Sequence, residues 1–151
     1  MAHELLAPVP CRYLPGALET CRTAGRVAFA SDRWEIFEGS GVCVEAGWTV
    51  LIYASRPELG DPGHLFVPAS ASLVGTFVRW VRADPRSGRH PNPNVQPAST
   101  ETDIPVIGFW EVAGLRQLAP QQRIPLSRLR TAAHKRSIRR PPLGPTVQRA
   151  P

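Results

Sequence analysis

The sequence predicts a mainly β, α+β fold: a small β-barrel of about five to six strands with one or two short helices and a disordered basic C-terminal tail. Three observations carry this expectation. Proline supplies 17 of the 151 residues, and a residue that lacks an N–H and clashes with the preceding turn keeps helices short. Short alternating, β-branched and aromatic runs recur between residues 26 and 113, separated by Gly- and Pro-containing turns. No long helical pattern separates those runs, as a parallel α/β sheet would require.

The elements follow in order. Residues 1–24 read as a loosely ordered lead-in with a short helix over 16–24, which Gly25 ends. The barrel is expected over 25–133. Its first strand is 26–30 (RVAFA). Residues 33–38 (RWEIFE) alternate, with Trp34 and Ile36 on one side and Arg33, Glu35 and Phe37 on the other, which is the signal of a half-buried strand. Residues 42–46 (VCVEA) continue as strand after a turn at 38–41. Residues 48–53 (WTVLIY) are β-branched, aromatic and nearly continuously apolar, so both faces are covered and the strand is central. Pro57 stops it.

Residues 58–68 form a loop, and 73–82 (LVGTFVRWVR) the next strand. Gly75 marks a bulge or barrel bend there. Leu73, Gly75, Phe77, Arg79 and Val81 share one predicted face. Residues 84–105 are polar and Pro-rich, and a loop of this length in a small domain is functional or disordered. The last strand is 106–113 (VIGFWEVA). Residues 124–127 look extended, and Ser127 is placed to cap a short helix over 127–134. Residues 134–151 are basic and Pro-rich and read as disordered.

Charge is distributed unevenly. Residues 1–111 carry nine basic and twelve acidic side chains, whereas residues 112–151 carry nine basic and none acidic, giving the net +6. A mildly acidic body with a basic tail suits a polyanionic partner, RNA or DNA. In that role Arg128, Arg130, Lys135, Arg136, Arg139 and Arg140 would meet the nucleic-acid backbone. Three cysteines at wide spacing form neither a disulfide framework nor a zinc pattern. The N-terminal residues lack the charged region and apolar run of a secretory leader. No run approaches the ~20 apolar residues of a membrane span. A cytoplasmic protein without a membrane partner is expected. The phosphate-loop, dinucleotide, nucleophile-elbow and zinc-ligand patterns are absent, so no cofactor or metal is expected.

Two stretches resemble the ASCH and EVE branches of the PUA-like superfamily. Arg33-Trp34-Glu35 precedes Gly47 and the run Trp48 to Ser55, followed by Leu73 to Val78; Phe109 to Val112 then precedes Leu118 and Ile124-Pro125-Leu126. The resemblance spans roughly residues 26–130, apart from the long loop. It implies a barrel that holds RNA or a modified base, with an extruded base gripped between aromatic rings at the barrel mouth. Members credited with amidohydrolase activity carry a lysine in the early motif. This sequence offers Arg33 there and has no lysine before Lys135, a departure that weighs against catalysis.

The candidate ligand-binding residues are Arg33, Trp34, Glu35, Tyr53, Ser55, Arg56 and Trp110. Trp34 and Trp110 are the preferred stacking rings, because a base offers a π-face to an aromatic side chain. Each has a carboxylate as its neighbour in sequence, but adjacent strand residues face opposite ways. Arg33 and Glu35 suit base-edge recognition, donating to ring acceptors and accepting from exocyclic amines. Ser55 and Arg56 follow the central strand at the rim. Three readings therefore stand: a nucleic-acid-binding module, a small hydrolase of modified nucleosides with Glu35 as general base, and a protein-interaction domain with a basic docking tail.

Overall fold

The computed structural model describes residues 3–97, 106–131 and 144–149. Among the described residues nine strands form two sheets. They are β1 (His3–Pro10), β2 (Arg26–Ser31), β3 (Thr49–Ser55), β4 (Ser70–Ala71), β5 (Leu73–Arg82), β6 (Gly108–Gln117), β7 (Ile124–Pro125), β8 (Arg130–Thr131) and β9 (Thr146–Arg149). The main sheet runs β2-β6-β5-β3-β1-β9-β8, and β4 pairs with β7 separately. β1 and β3 pair in parallel, and the other pairs among the described residues are antiparallel. The fold is mainly β, a mixed sheet curled into a half-barrel.

The sheet wraps its concave face around one core. Alternate residues of the strands supply it: Leu5, Ala7 and Val9 from β1, Val27 and Phe29 from β2, Val50 and Ile52 from β3, and Trp110 and Val112 from β6. Helix α1 (Leu14–Ala24) closes one side with Leu14, Ala17 and Cys21, and Gly25 ends it in the left-handed region at φ 83°. Two smaller apolar clusters lie on the convex face. Leu6, Leu51 and Tyr53 pack under Leu126 and Leu129. Ala28 and Phe109 pack with Val95 of the long β5–β6 connection.

The central strand, the β2 and β5 strands, the helix ending at Gly25 and the break at Pro57 match the sequence expectation. β3 lies between β5 and β1, with both faces covered, as its continuous apolar run predicts. Gly75 lies at a register shift between Val74 and Thr76. A Cβ there would come within 2.3 Å of Val112 Cγ1.

Several expectations are corrected. Residues 3–10 are no lead-in but a strand of the main sheet, anchored by buried Leu5, Leu6 and Ala7. Residues 33–38 are no strand: Glu35–Glu38 form a helical turn, α2. Its neighbouring residues Ile36 and Phe37 both pack on the same core, which a helical turn permits and strand alternation forbids. Six residues are too few to separate the two periods. Residues 42–46 are irregular. Leu126–Arg128 make a 3-10 turn, and β8 follows it, in place of the start of a helix capped by Ser127. Residues 132–134 of that predicted helix lie outside the described residues. In the predicted disordered tail, Thr146–Arg149 form β9, which pairs antiparallel with β1; residues 135–143 are outside the described residues.

A second register shift, between Phe77 and Arg79, changes the β5 faces. Phe77 lies in the main core and Trp80 packs against it, whereas Arg79 bonds to Glu111 on the convex side. Arg79 therefore does not share the face of Phe77 as simple alternation predicted.

Candidate functional site

The half-barrel is unsealed between β1 and β2. β2 pairs only with β6, and the β1–β9 ladder covers only His3 to Leu6. Beyond Leu6, β1 has β3 as its sole strand neighbour among the described residues. Pro8 and Pro10 lie in that stretch, and proline, lacking an N–H, blunts an edge against further pairing. The chain leaves β1 through a 3-10 turn at Cys11–Tyr13 and enters α1.

A cavity of about 120 Å³ occupies this seam, lined by Pro8, Val9, Pro10, Tyr13, Phe29, Ala30, Pro97, Trp110 and Pro145. Its walls are prolines and rings. Phe29 and Trp110 face each other across the β2–β6 ladder with centroids 4.6 Å apart and planes tilted by 33°. Trp110 is only 1% exposed, and among the described residues its buried Nε1–H has no hydrogen-bond partner. Buried polar groups are almost always satisfied, so the orphaned indole N–H of this lining residue is a donor in want of an acceptor.

Two arginines lie next to lining residues. Arg12 donates from Nη2 to the Tyr13 hydroxyl at 2.8 Å and lies 4.8 Å from the ring centroid. Arg33 runs beside Gly144, where a Cβ would come within 3.0 Å of its Nε, and the next residue, Pro145, is cavity wall.

Comparison with protein-family models, with curated proteins and with solved structures finds no match.

The sequence candidates separate as follows. Trp110 lines the cavity and Arg33 reaches its edge. Ser55 sits opposite Pro10 in the β1–β3 register, at the same end of the sheet. Trp34 is 42% exposed before α2 and is not among the lining residues. Glu35 is on the same exposed turn and does not line the seam cavity, a poor setting for the general base of a hydrolase. Tyr53 is core: it packs edge-on against Phe66 beneath Leu126, and burial raises its hydroxyl pKa. Arg56 is exposed in a left-handed turn at φ 52°. Arg128 is exposed and Arg130 begins β8, while Lys135, Arg136, Arg139 and Arg140 lie outside the described residues. Among the described residues no helix is long and apolar enough to cross a membrane.

Sequence reading missed Tyr13, Phe29 and the proline walls. Their signal was slight: Pro8 and Pro10 alternate within an apolar run that ends at Cys11, two residues before Tyr13. It also missed a buried charged cluster on the convex face. Glu111 is fully buried beside Phe109 and accepts from Arg26 Nε at 2.5 Å, Arg79 Nε at 2.9 Å and His90 Nε2 at 2.9 Å. Burial alone pushes the Glu111 pKa up. The hydrogen bonds from His90, Arg79 and Arg26, with the charge of Arg79, outweigh it and hold the carboxyl below its ordinary value. His90 Nδ1 accepts the Asn92 N–H at 2.8 Å, which leaves Nε2 as the protonated nitrogen that donates to Glu111. A glutamate inside the otherwise apolar run Phe109 to Val112 was the available clue, since a buried carboxylate demands partners.

Proposed function

We propose that this chain is a nucleic-acid-binding module that takes one unstacked base into the seam cavity, with single-stranded RNA as its preferred partner. The observation that carries the reading is the orphaned Trp110 indole N–H in an aromatic wall. A base edge offers ring-nitrogen and carbonyl acceptors, and its faces stack on rings such as Phe29, Tyr13 and Trp110. Size narrows the choice. An apolar cavity of about 150 Å³ admits benzene, so the 120 Å³ here cannot enclose a two-ring purine and takes at most one edge of a single-ring pyrimidine. Arg33, which runs beside Gly144 next to the wall residue Pro145, suits a flanking phosphate. The resemblance of Arg33 to Glu35, Gly47 to Ser55 and Phe109 to Val112 to PUA-like domains points to the same chemistry.

The reading is tested with labelled oligouridine and oligoadenosine across a salt series. Oligouridine is expected to bind more tightly. Trp110→Phe keeps a ring in the core but removes the donor, and should weaken oligouridine binding by about tenfold, as one unsatisfied acceptor costs roughly 1–3 kcal/mol. Equal binding of both oligomers, or affinity unchanged in Trp110→Phe, would refute the base pocket.

A further inference from the structure

The geometry points to a second site on the convex face, where Arg26 and Arg79 form a ready-made receptor for a phosphate oxyanion. It lies behind the seam cavity, since Trp110 and Glu111 are consecutive in β6 and face opposite ways. It rests on its own observations and stands whether or not the cavity binds a base.

Both arginines meet Glu111 through Nε alone, Arg26 on Oε1 and Arg79 on Oε2. Their terminal Nη groups have no protein acceptor among the described residues. The side chains remain open to solvent, 31% for Arg26 and 55% for Arg79, so those N–H groups are presented outward. A guanidinium normally spends conformational entropy when it grips an oxyanion. Here one buried carboxylate fixes both guanidiniums beforehand, on its two oxygens. Glu111 is itself fixed by His90, whose backbone N–H bonds to Gln96 Oε1 at 3.0 Å and whose ring packs edge-on against Phe109.

The charge also favours an anion. His90 accepts at Nδ1 and donates at Nε2, so it adds no charge. Two guanidiniums against one carboxylate leave the cluster with an excess positive charge. A pair that existed only to neutralise Glu111 would need one arginine. The register shift between Phe77 and Arg79 puts Arg79 opposite Glu111 on the convex face, and irregularities of this kind recur where a strand re-aims a side chain at a site. Paired guanidinium forks match a tetrahedral oxyanion by parallel N–H···O bonds. The oxyanion is either a free phosphate or the phosphodiester of a nucleic-acid strand, and both present the same oxygens.

The test uses the full chain and follows the arginine side-chain Nε–Hε signals by NMR. The probes are inorganic phosphate and, separately, an oligouridine without terminal phosphates, each against chloride at matched ionic strength. Arg26 and Arg79 signals are expected to shift saturably with at least one probe and not with chloride, and the probe that acts identifies the source. Arg79→Lys keeps the charge and a donor for Glu111 but loses the fork, and should weaken saturation at Arg26 by about tenfold while the His90 signals stay in place. Shifts that follow ionic strength alone, or saturation unchanged in Arg79→Lys, overturn the proposal. Arg26→Lys, read at Arg79, repeats the test should Arg79→Lys fail to fold.

Discussion

Glu4 offers a stability experiment whose sign and size follow from its surroundings. It lies on β1 between Thr49 of β3 and Gln148 of β9, is only 6% exposed, and its side chain has no hydrogen bond or ion pair among the described residues. Burial raises its pKa from 4.5 to about 7. In the unfolded chain the carboxyl ionises near its ordinary value. Between those two pH values the folded protein holds a proton that the unfolded chain releases, so stability falls as pH rises through this window and levels off above it. The ceiling of the effect is about 3 kcal/mol, from roughly 1.4 kcal/mol for each pH unit separating the folded and unfolded values. Glu4→Gln keeps the shape and abolishes the titration. Urea unfolding of both proteins at about pH 4 and about pH 8 isolates Glu4, because every other titrating group cancels in the difference. The variant should gain about 2–3 kcal/mol on the parent between the two conditions. A difference that stays flat with pH would mean that Glu4 is solvated or paired, and the reasoning from burial would be wrong.

Glu111 should behave in the opposite sense. Its folded pKa is lowered, so its contribution is present above the ordinary carboxylate value and is lost as pH falls through the folded one. Glu111→Gln should flatten the acid limb of a stability profile and cost about 2–3 kcal/mol at neutral pH, measured by the same unfolding assay. Gly75→Ala places a Cβ 2.3 Å from Val112 Cγ1 and 3.1 Å from the Ala113 carbonyl oxygen. It should destabilise by about 1–3 kcal/mol through overpacking, with a lowered Tm by calorimetry and an unchanged denaturant slope.

What the sequence made legible follows from how local each signal is. β3 was readable because a strand covered on both faces writes its burial into every residue from Val50 to Ala54. α1 was readable because Gly25 supplies a left-handed stop. β1 was not: Pro8 and Pro10 speak against a strand, and only the partnership with distant β3 overrides them. The α2 turn was hidden because Ile36 and Phe37 both bury against a core that is assembled from other segments. Half of the seam cavity was visible in Trp110, a large ring in a strong strand. Its opposite wall was not, since Tyr13, Pro97 and Pro145 are brought together only by the tertiary fold. Arg79 was assigned to the face of Phe77 because a register shift has no signature in a run that alternates well on either side of it.

The ladder on β1 also sets a timetable. Glu4 lies far along the sequence from both of its strand partners, Thr49 and Gln148. During synthesis β1 therefore waits through the making of α1 and β2 for its first neighbour. It then waits until β9 is made to meet its second. Contacts so distant in sequence close slowly, and a strand with a bare edge is exposed to wrong partners in the interval. The two prolines near its C-terminal end deny such partners a regular ladder while the chain is still incomplete.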